Sequence, residues 1–363
     1  MVKNYKALLA NQELRMNPES VELQKAIRDE LQRTPDNTIV QYIKKSMFGV
    51  DELYTRRTIE AGNKVKNQLN SKISDISFDF QGSVMTNTHI RGYSDIDLLT
   101  ITEKFYTFDR SGISNAVNQP NAYFKYTQDQ INTLTNALRG GGYTNGLIDL
   151  RSLRIDCENT LLNVYNNVNI SRPKSIEIEL TSPKRKVDVV IACWYQDTNY
   201  YLNEDKINKA IQVFCKGETA IYDKKLNADY PFKRIKLLND KDLQVNGRLK
   251  RMIRLLKTLK YDSDQEIKLS SFDINAIIYD IDTWKYNSKS YLELIPVIYD
   301  QLRILSNNFS IRYNLKSLDG KEYIFRKEDQ TTEDTEKTNS LRTMLEEIEY
   351  LLIEMQKSLR LIA

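Results

Sequence analysis

The stretch from Phe80 to Leu99 constrains this chain more than any other. It sets a small Gly82-Ser83 turn ahead of Asp95-Ile96-Asp97, which begins twelve residues beyond the serine. Side chains alternate faces along an extended strand, so Asp95 and Asp97 point the same way. Ile96, Leu98 and the run Leu99–Ile101 supply the buried side. Two carboxylates on one face, at one edge of a sheet, form a clamp for a divalent metal. Mg²⁺ takes hard oxygen ligands and is usually held by one or two carboxylates plus substrate phosphates. The Gly82-Ser83 turn has no bulky side chain, so its backbone N–H groups and its hydroxyl can approach a triphosphate. Taken singly, Asp-x-Asp is an ordinary solvated strand end and Gly-Ser an ordinary turn.

A chain of 363 residues has room for two domains with a substantial core. With 40% hydrophobic and 28% charged residues it reads as globular and soluble. No apolar run approaches the ~18 residues of a membrane span, and Met1-Val2-Lys3-Asn4 lacks the apolar stretch of a signal peptide. No membrane partner is expected. Cys157, Cys193 and Cys215 are odd in number and widely spaced; with one histidine they offer no zinc-ligand spacing. A cytoplasmic location fits. The net charge of +4 is mild and does not by itself imply nucleic acid.

The apolar spacing predicts a short helix over residues 18–33, broken by Thr34-Pro35-Asp36-Asn37, and a second from Thr38 to about Phe48. Asp51 caps a third, to about Leu69. The charges Lys44, Lys45, Arg56, Arg57, Lys64 and Lys66 read as a solvated face. Strands are expected at Ile73–Phe80 and Tyr93–Thr102, helices at Thr127–Leu138 and Asp149–Val168, with Gly140-Gly141-Gly142 a flexible connection between them. Ser175–Leu180 and Val187–Ala192 alternate on either side of a Pro183 turn and form a hairpin. Asp188 stands out there: an aspartate among Val and Ile in a buried strand is costly unless paired or bound to metal. From about Ile207 the pattern becomes helical. In Arg248–Lys260 a basic stripe, Lys250, Arg254 and Lys257, opposes an apolar face of Leu249, Met252, Ile253, Leu256 and Leu259. Leu269-Ser270-Ser271-Phe272 opens the next helix, Lys316–Glu333 is a polar loop or hairpin, and Ser340–Leu361 is a long helix. His89 sits at a variable motif position and reads as a surface or packing residue.

Gly82-Ser83, then Thr88, Ile90, Arg91 and Ser94-Asp95-Ile96-Asp97-Leu98, resembles the motif of the polymerase-β nucleotidyltransferase superfamily. Its form is most similar to the bacterial CD-NTases, the cyclic-oligonucleotide synthases of anti-phage (CBASS) signalling and relatives of animal cyclic GMP–AMP synthase. The resemblance covers roughly residues 38 to 280. It implies an α+β fold: a polymerase-β-like nucleotidyltransferase sheet with helices, a C-terminal helical lobe, and the active site in the cleft between. Residues 1–70 would be N-terminal helices including the spine helix, 71–205 the catalytic core and 206–363 the helical lobe. Asp188, in its Val-Asp-Val-Val context, matches the family's third carboxylate. Asp95, Asp97 and Asp188 would then bind two Mg²⁺ or Mn²⁺ ions. Gly82, Ser83, Lys257 and Ser271 would meet the triphosphate, and Phe272 would stack on the base.

The implied reaction joins ribonucleoside triphosphates, ATP or GTP, into a cyclic di- or trinucleotide second messenger with release of pyrophosphate. The partners implied are a product-sensing effector and an RNA activator along the spine helix; the enzyme is expected to be a monomer. Another nucleotidyltransferase, modifying a small molecule, a protein or an RNA end, is the alternative, as is a catalytically silent nucleotide-binding protein.

Overall fold

The computed structural model describes residues 3–16, 37–90 and 95–360. The helix expected over residues 18–33, its Thr34-Pro35-Asp36 break, and Arg91 and Ser94 of the motif lie outside the described residues. The chain divides into two compact units. A helical unit comprises Met1–Thr55, Thr86–Ser94 and Leu237–Ala363, and a sheet unit comprises Arg56–Met85 and Asp95–Lys236.

Along the chain come helices α1 (Tyr5–Met16), α2 (Thr38–Met47) and α3 (Glu52–Asn70). Asn37 starts α2 by accepting from the N–H groups of Ile39 and Val40, and Asp51 starts α3 by accepting from Tyr54 N–H at 2.7 Å. Then follow β1 (Ile76–Gln81), β2 (Ile96–Phe108), α4 (Arg110–Asn118), α5 (Ala122–Lys125), α6 (Gln128–Arg139) and α7 (Gly146–Leu162). A capping box between Thr127 and Gln130 fixes the start of α6.

Helix α7 stops at Leu162, short of the expected Val168. Asn163, Asn166 and Asn167 turn the chain, and Val168–Asn169 is instead a strand, β3. The hairpin is present as β4 (Ile176–Thr181) and β5 (Lys184–Gln196), followed by α8 (Thr198–Asn203), β6 (Ala210–Cys215) and β7 (Lys224–Lys225). Strand β6 corrects the helical reading from Ile207. Ile211, Val213 and Phe214 are β-formers, and they find an edge of β5: Ala192 opposes Val213 and Trp194 opposes Ile211.

The sheet runs β1-β2-β5-β4-β3, with β6 added to β5 and β7 to β6. Strands β2 and β5 are parallel and central, while β1 pairs with β2 and β4 with β5 in antiparallel fashion. On one face Ala61, Val65 and Leu69 of α3 pack with Ile96, Leu98, Val187, Val189 and Ile191. On the other, Leu99, Ile101, Val190 and Ala192 pack with Trp194 and Ile211. A sheet buried on both faces explains the unbroken apolar runs of β2 and β5.

The chain continues through α9 (Pro231–Gln244), α10 (Arg248–Asp262), α11 (Ser271–Tyr279), α12 (Leu294–Asn307), α13 (Phe309–Asn314) and α14 (Thr335–Arg360). In the helical unit the expected apolar face of α10 is buried with Ile298, Leu302, Leu341, Met344 and Ile348. Isolated bridges, Lys316 to Tyr323 and Arg326 to Glu333, shape the polar segment before α14. Among the described residues, no helix is long and apolar enough to cross a membrane.

Candidate active site

Two strands bring the key carboxylates side by side. In the parallel register of β2 and β5, Asp97 stands directly opposite Asp188. Each is half-buried between fully buried neighbours, Ile96 and Leu98 in one strand, Val187 and Val189 in the other. Apolar residues at alternate positions pull the flanking side chains into the core and turn both aspartates to the opposite face. Asp95 lies just ahead of β2, also half-buried. The antiparallel partner β1 ends at Gln81, opposite Asp97, which delivers Gly82 to the same place. Gly82 has φ +90°, and a Cβ there would lie 2.6 Å from Asp97 Oδ2. Both the backbone conformation and the space demand glycine.

The carboxylates are electrostatically strained. Burial, with Asp188 and then Asp95 adding repulsion, pushes the Asp97 carboxyl up to about 7. Burial pushes Asp188 up to about 6, against the pull of Arg172. Asp95 is raised for the same first reason, with Lys186 opposing. The cations beside them are modest ones. Arg172 Nη1 lies 3.4 Å from each Asp188 oxygen, and Lys186 Nζ lies 3.5 Å from Glu177 Oε2.

Among the described residues, no group of three or more His, Cys, Asp or Glu side chains is gathered to hold a metal ion. The donor set nonetheless fits Mg²⁺ or Mn²⁺. Asp97 and Asp188 offer hard oxygens in register, each disfavoured as a free anion, beside a glycine that leaves space. Mg²⁺ needs only one or two carboxylates, its remaining positions going to water and phosphate.

The basic stripe differs from its sequence reading. Lys250 is paired with Asp242 at 3.6 Å. Arg254 is buried and donates to the carbonyls of Met47 (2.9 Å) and Asn87 (2.7 Å). Lys257 is also buried, donating to Thr88 O at 3.0 Å and Thr88 Oγ1 at 3.2 Å. Burial, then Arg254 and Lys260, lowers the Lys257 ammonium to about 7. Ser271 is exposed in the first turn of α11, whose cap is Ser270 with Asp273. Phe272 is half-buried against the helical core. Lys45, read as solvated, is buried in α2. His89 is a packing residue: it is buried, stacks on Tyr54, and its Nε2 lies 3.1 Å from Thr55 Oγ1.

Sequence reasoning missed Arg172 and Glu177. Glu177 was findable once the hairpin register is known, since it opposes Asp188 across β4 and β5. Arg172 lies in a loop without a motif.

The C-terminal helical domain of cGAS/DncV-like nucleotidyltransferases matches residues 236–349. A c-di-GMP synthase of Capnocytophaga granulosa is 41% identical, with 98% of this chain and 99% of the relative covered. Among solved structures, the STING-associated CdnE c-di-GMP synthase from Capnocytophaga granulosa aligns with a TM-score of 0.76 at 37% identity, covering 98% of this chain and 99% of that one. The corresponding synthase from Flavobacteriaceae sp. aligns with a TM-score of 0.80 at 34% identity, covering 97% and 98%.

Proposed function

This chain belongs to the CD-NTases, the cGAS/DncV-like nucleotidyltransferases, and from that premise we propose that it joins two GTP molecules into cyclic di-GMP. It is a nucleotidyltransferase of the cyclic-dinucleotide kind; the choice of GTP, the metal and the signalling role are our reading. The observation that carries the choice of GTP is the full-length similarity, at 41% identity, to a c-di-GMP synthase.

Asp95, Asp97 and Asp188 are the proposed catalytic carboxylates and would hold the two divalent ions. When bound, those ions would lower the pKa of the attacking ribose hydroxyl and neutralise charge on the leaving pyrophosphate. Gly82 and Ser83 offer backbone N–H groups and a hydroxyl to phosphate. Lys257 and Ser271 are assigned to the triphosphate and Phe272 to the base, by the family resemblance. Two transfers release two pyrophosphates. The second is intramolecular, because the linear dinucleotide carries a 5′-triphosphate at one end and a free hydroxyl at the other, and holding both ends gives a high effective concentration. The STING-associated relatives support a product-sensing effector and a role in anti-phage signalling.

The test is incubation with the four ribonucleoside triphosphates, singly and together, with Mg²⁺ or Mn²⁺. GTP alone is expected to give a phosphatase-resistant product with the mass of cyclic di-GMP. A mixed-base ring would overturn the choice of GTP, and a phosphatase-sensitive linear chain would overturn ring closure.

A further inference from the structure

Arg172 is held by its backbone and loosely committed by its side chain. The loop that carries it is pinned from below by Arg154, a fully buried arginine. Arg154 Nη2 donates to the carbonyls of Ile170 (3.3 Å), Arg172 (3.0 Å) and Ser175 (3.0 Å). Its Nε donates to Glu158 Oε1 at 2.7 Å, and Glu158 also receives Lys216. The N–H of Lys216 in turn donates to Pro173 O at 2.9 Å. A buried cation with this many partners fixes the Arg172 backbone, because breaking such a network strands a charge in the interior.

The guanidinium itself has two acidic partners of unequal strength. Nη2 lies 2.6 Å from Glu177 Oε2, whereas Nη1 stands 3.4 Å from both oxygens of Asp188. Charge-assisted hydrogen bonds of this kind lie near ~2.7–2.9 Å, so Glu177 is the anchor and Asp188 the weaker contact. The side chain is 43% exposed, which leaves it room to swing on a fixed base.

We propose that Arg172 is a positioning residue, the internal counter-cation of Asp188, which yields that carboxylate to a divalent metal while staying anchored on Glu177. The inference rests on Asp97 and Asp188 being the metal carboxylates. A divalent ion carries twice the charge of a guanidinium and, at coordination distance, outcompetes a contact at 3.4 Å. Glu177 keeps the displaced Arg172 within reach. In the metal-free enzyme Arg172 offsets repulsion among the carboxylates, and it lowers the apparent metal affinity by competing for Asp188.

The experiment is calorimetric titration of Mn²⁺ into the nucleotide-free, full-length protein. Arg172→Gln is expected to tighten Mn²⁺ binding by about twofold to fivefold, the span of a partly exposed ion pair, and Arg172→Lys to return most of the way to wild type. Glu177→Gln should weaken binding by pushing Arg172 onto Asp188, and should lose most of that effect in the Arg172→Gln background. Unchanged or weaker binding by folded Arg172→Gln, or a Glu177→Gln effect that persists in full without Arg172, overturns the proposal. A purely structural Arg172 would lower the thermal midpoint and leave the Mn²⁺ affinity where it was. Wild-type protein that takes up no Mn²⁺, or takes it up equally well as Asp97→Asn, overturns the carboxylate site and this inference with it.

Discussion

The paired strands β2 and β5 and the helix α10 both carry like charges in a row, and they handle them in opposite ways. On the strands, Asp97 faces Asp188 in register, and both carboxyls are raised by burial and by repulsion from neighbouring carboxylates. On the helix, Arg254 and Lys257 are buried more deeply, but backbone carbonyls of Met47, Asn87 and Thr88 receive them. Burial penalises both sets; on the helix Arg254 is met by internal acceptors, and Thr88 takes two of the three N–H donors of Lys257. A stripe of charge read from sequence therefore tells where charge is, and its surroundings decide whether it still seeks a partner.

The largest expected effect breaks the strand half of this contrast. Asp95→Asn with Asp97→Asn should reduce product formation below detection while circular dichroism and the thermal transition remain those of a folded protein. Full activity in the folded double variant refutes the carboxylate site.

The next compares two lysines of the helix. Lys257→Gln should weaken nucleotide binding by on the order of 1.5–3 kcal/mol, the range for a hydrogen bond to a charged group, and should also lower the thermal midpoint by stranding Thr88. Lys250→Gln, whose partner is Asp242, should change binding little. Equal losses at both positions would mean a diffuse basic stripe and no specific phosphate contact.

The smallest effect is a pH dependence. The folded Asp97 carboxyl sits at about 7, above its ordinary value of about 3.9. Its contribution to stability is thus fully present below that ordinary value and is lost as pH rises through about 7. With divalent ions chelated, Asp97→Asn should gain on wild type in thermal midpoint as pH goes from about 5 to about 8. A gap that stays flat over this interval would show that Asp97 is not under strain.

Much of the sheet unit was legible because its signals are local. Alternation put Asp97 on its strand, though β2 begins at Ile96 and leaves Asp95 just ahead of it; the Val-Asp-Val-Val context singled out Asp188, and a turn without bulky side chains flagged Gly82. The cap at Asp51 was equally readable, since a cap and the backbone N–H that donates to it lie within three residues. What was missed is non-local. Lys257 meets Thr88 across 169 residues of sequence, and nothing in either segment announces the other. Strand β6 looked helical because its true partner, the far half of β5, is chosen by tertiary pairing. Arg172 had no motif, and its meaning depends on Arg154, which fixes its loop from inside the sheet unit.

The parallel register of β2 and β5 has a consequence for how the enzyme acquires its activity. Asp97 and Asp188 become neighbours only when two strands far apart in the chain pair correctly, so neither segment carries half a site before that step. Parallel pairing is slow to find, because a long loop must close first. It is also self-correcting here. A slip of one residue would turn Asp188 to the face now held by Val187 and Val189, driving a carboxylate into the apolar core and bringing valines out to the face of Asp97. The same hydrophobic contacts that stabilise the sheet thereby proofread the alignment of the two proposed catalytic carboxylates during folding.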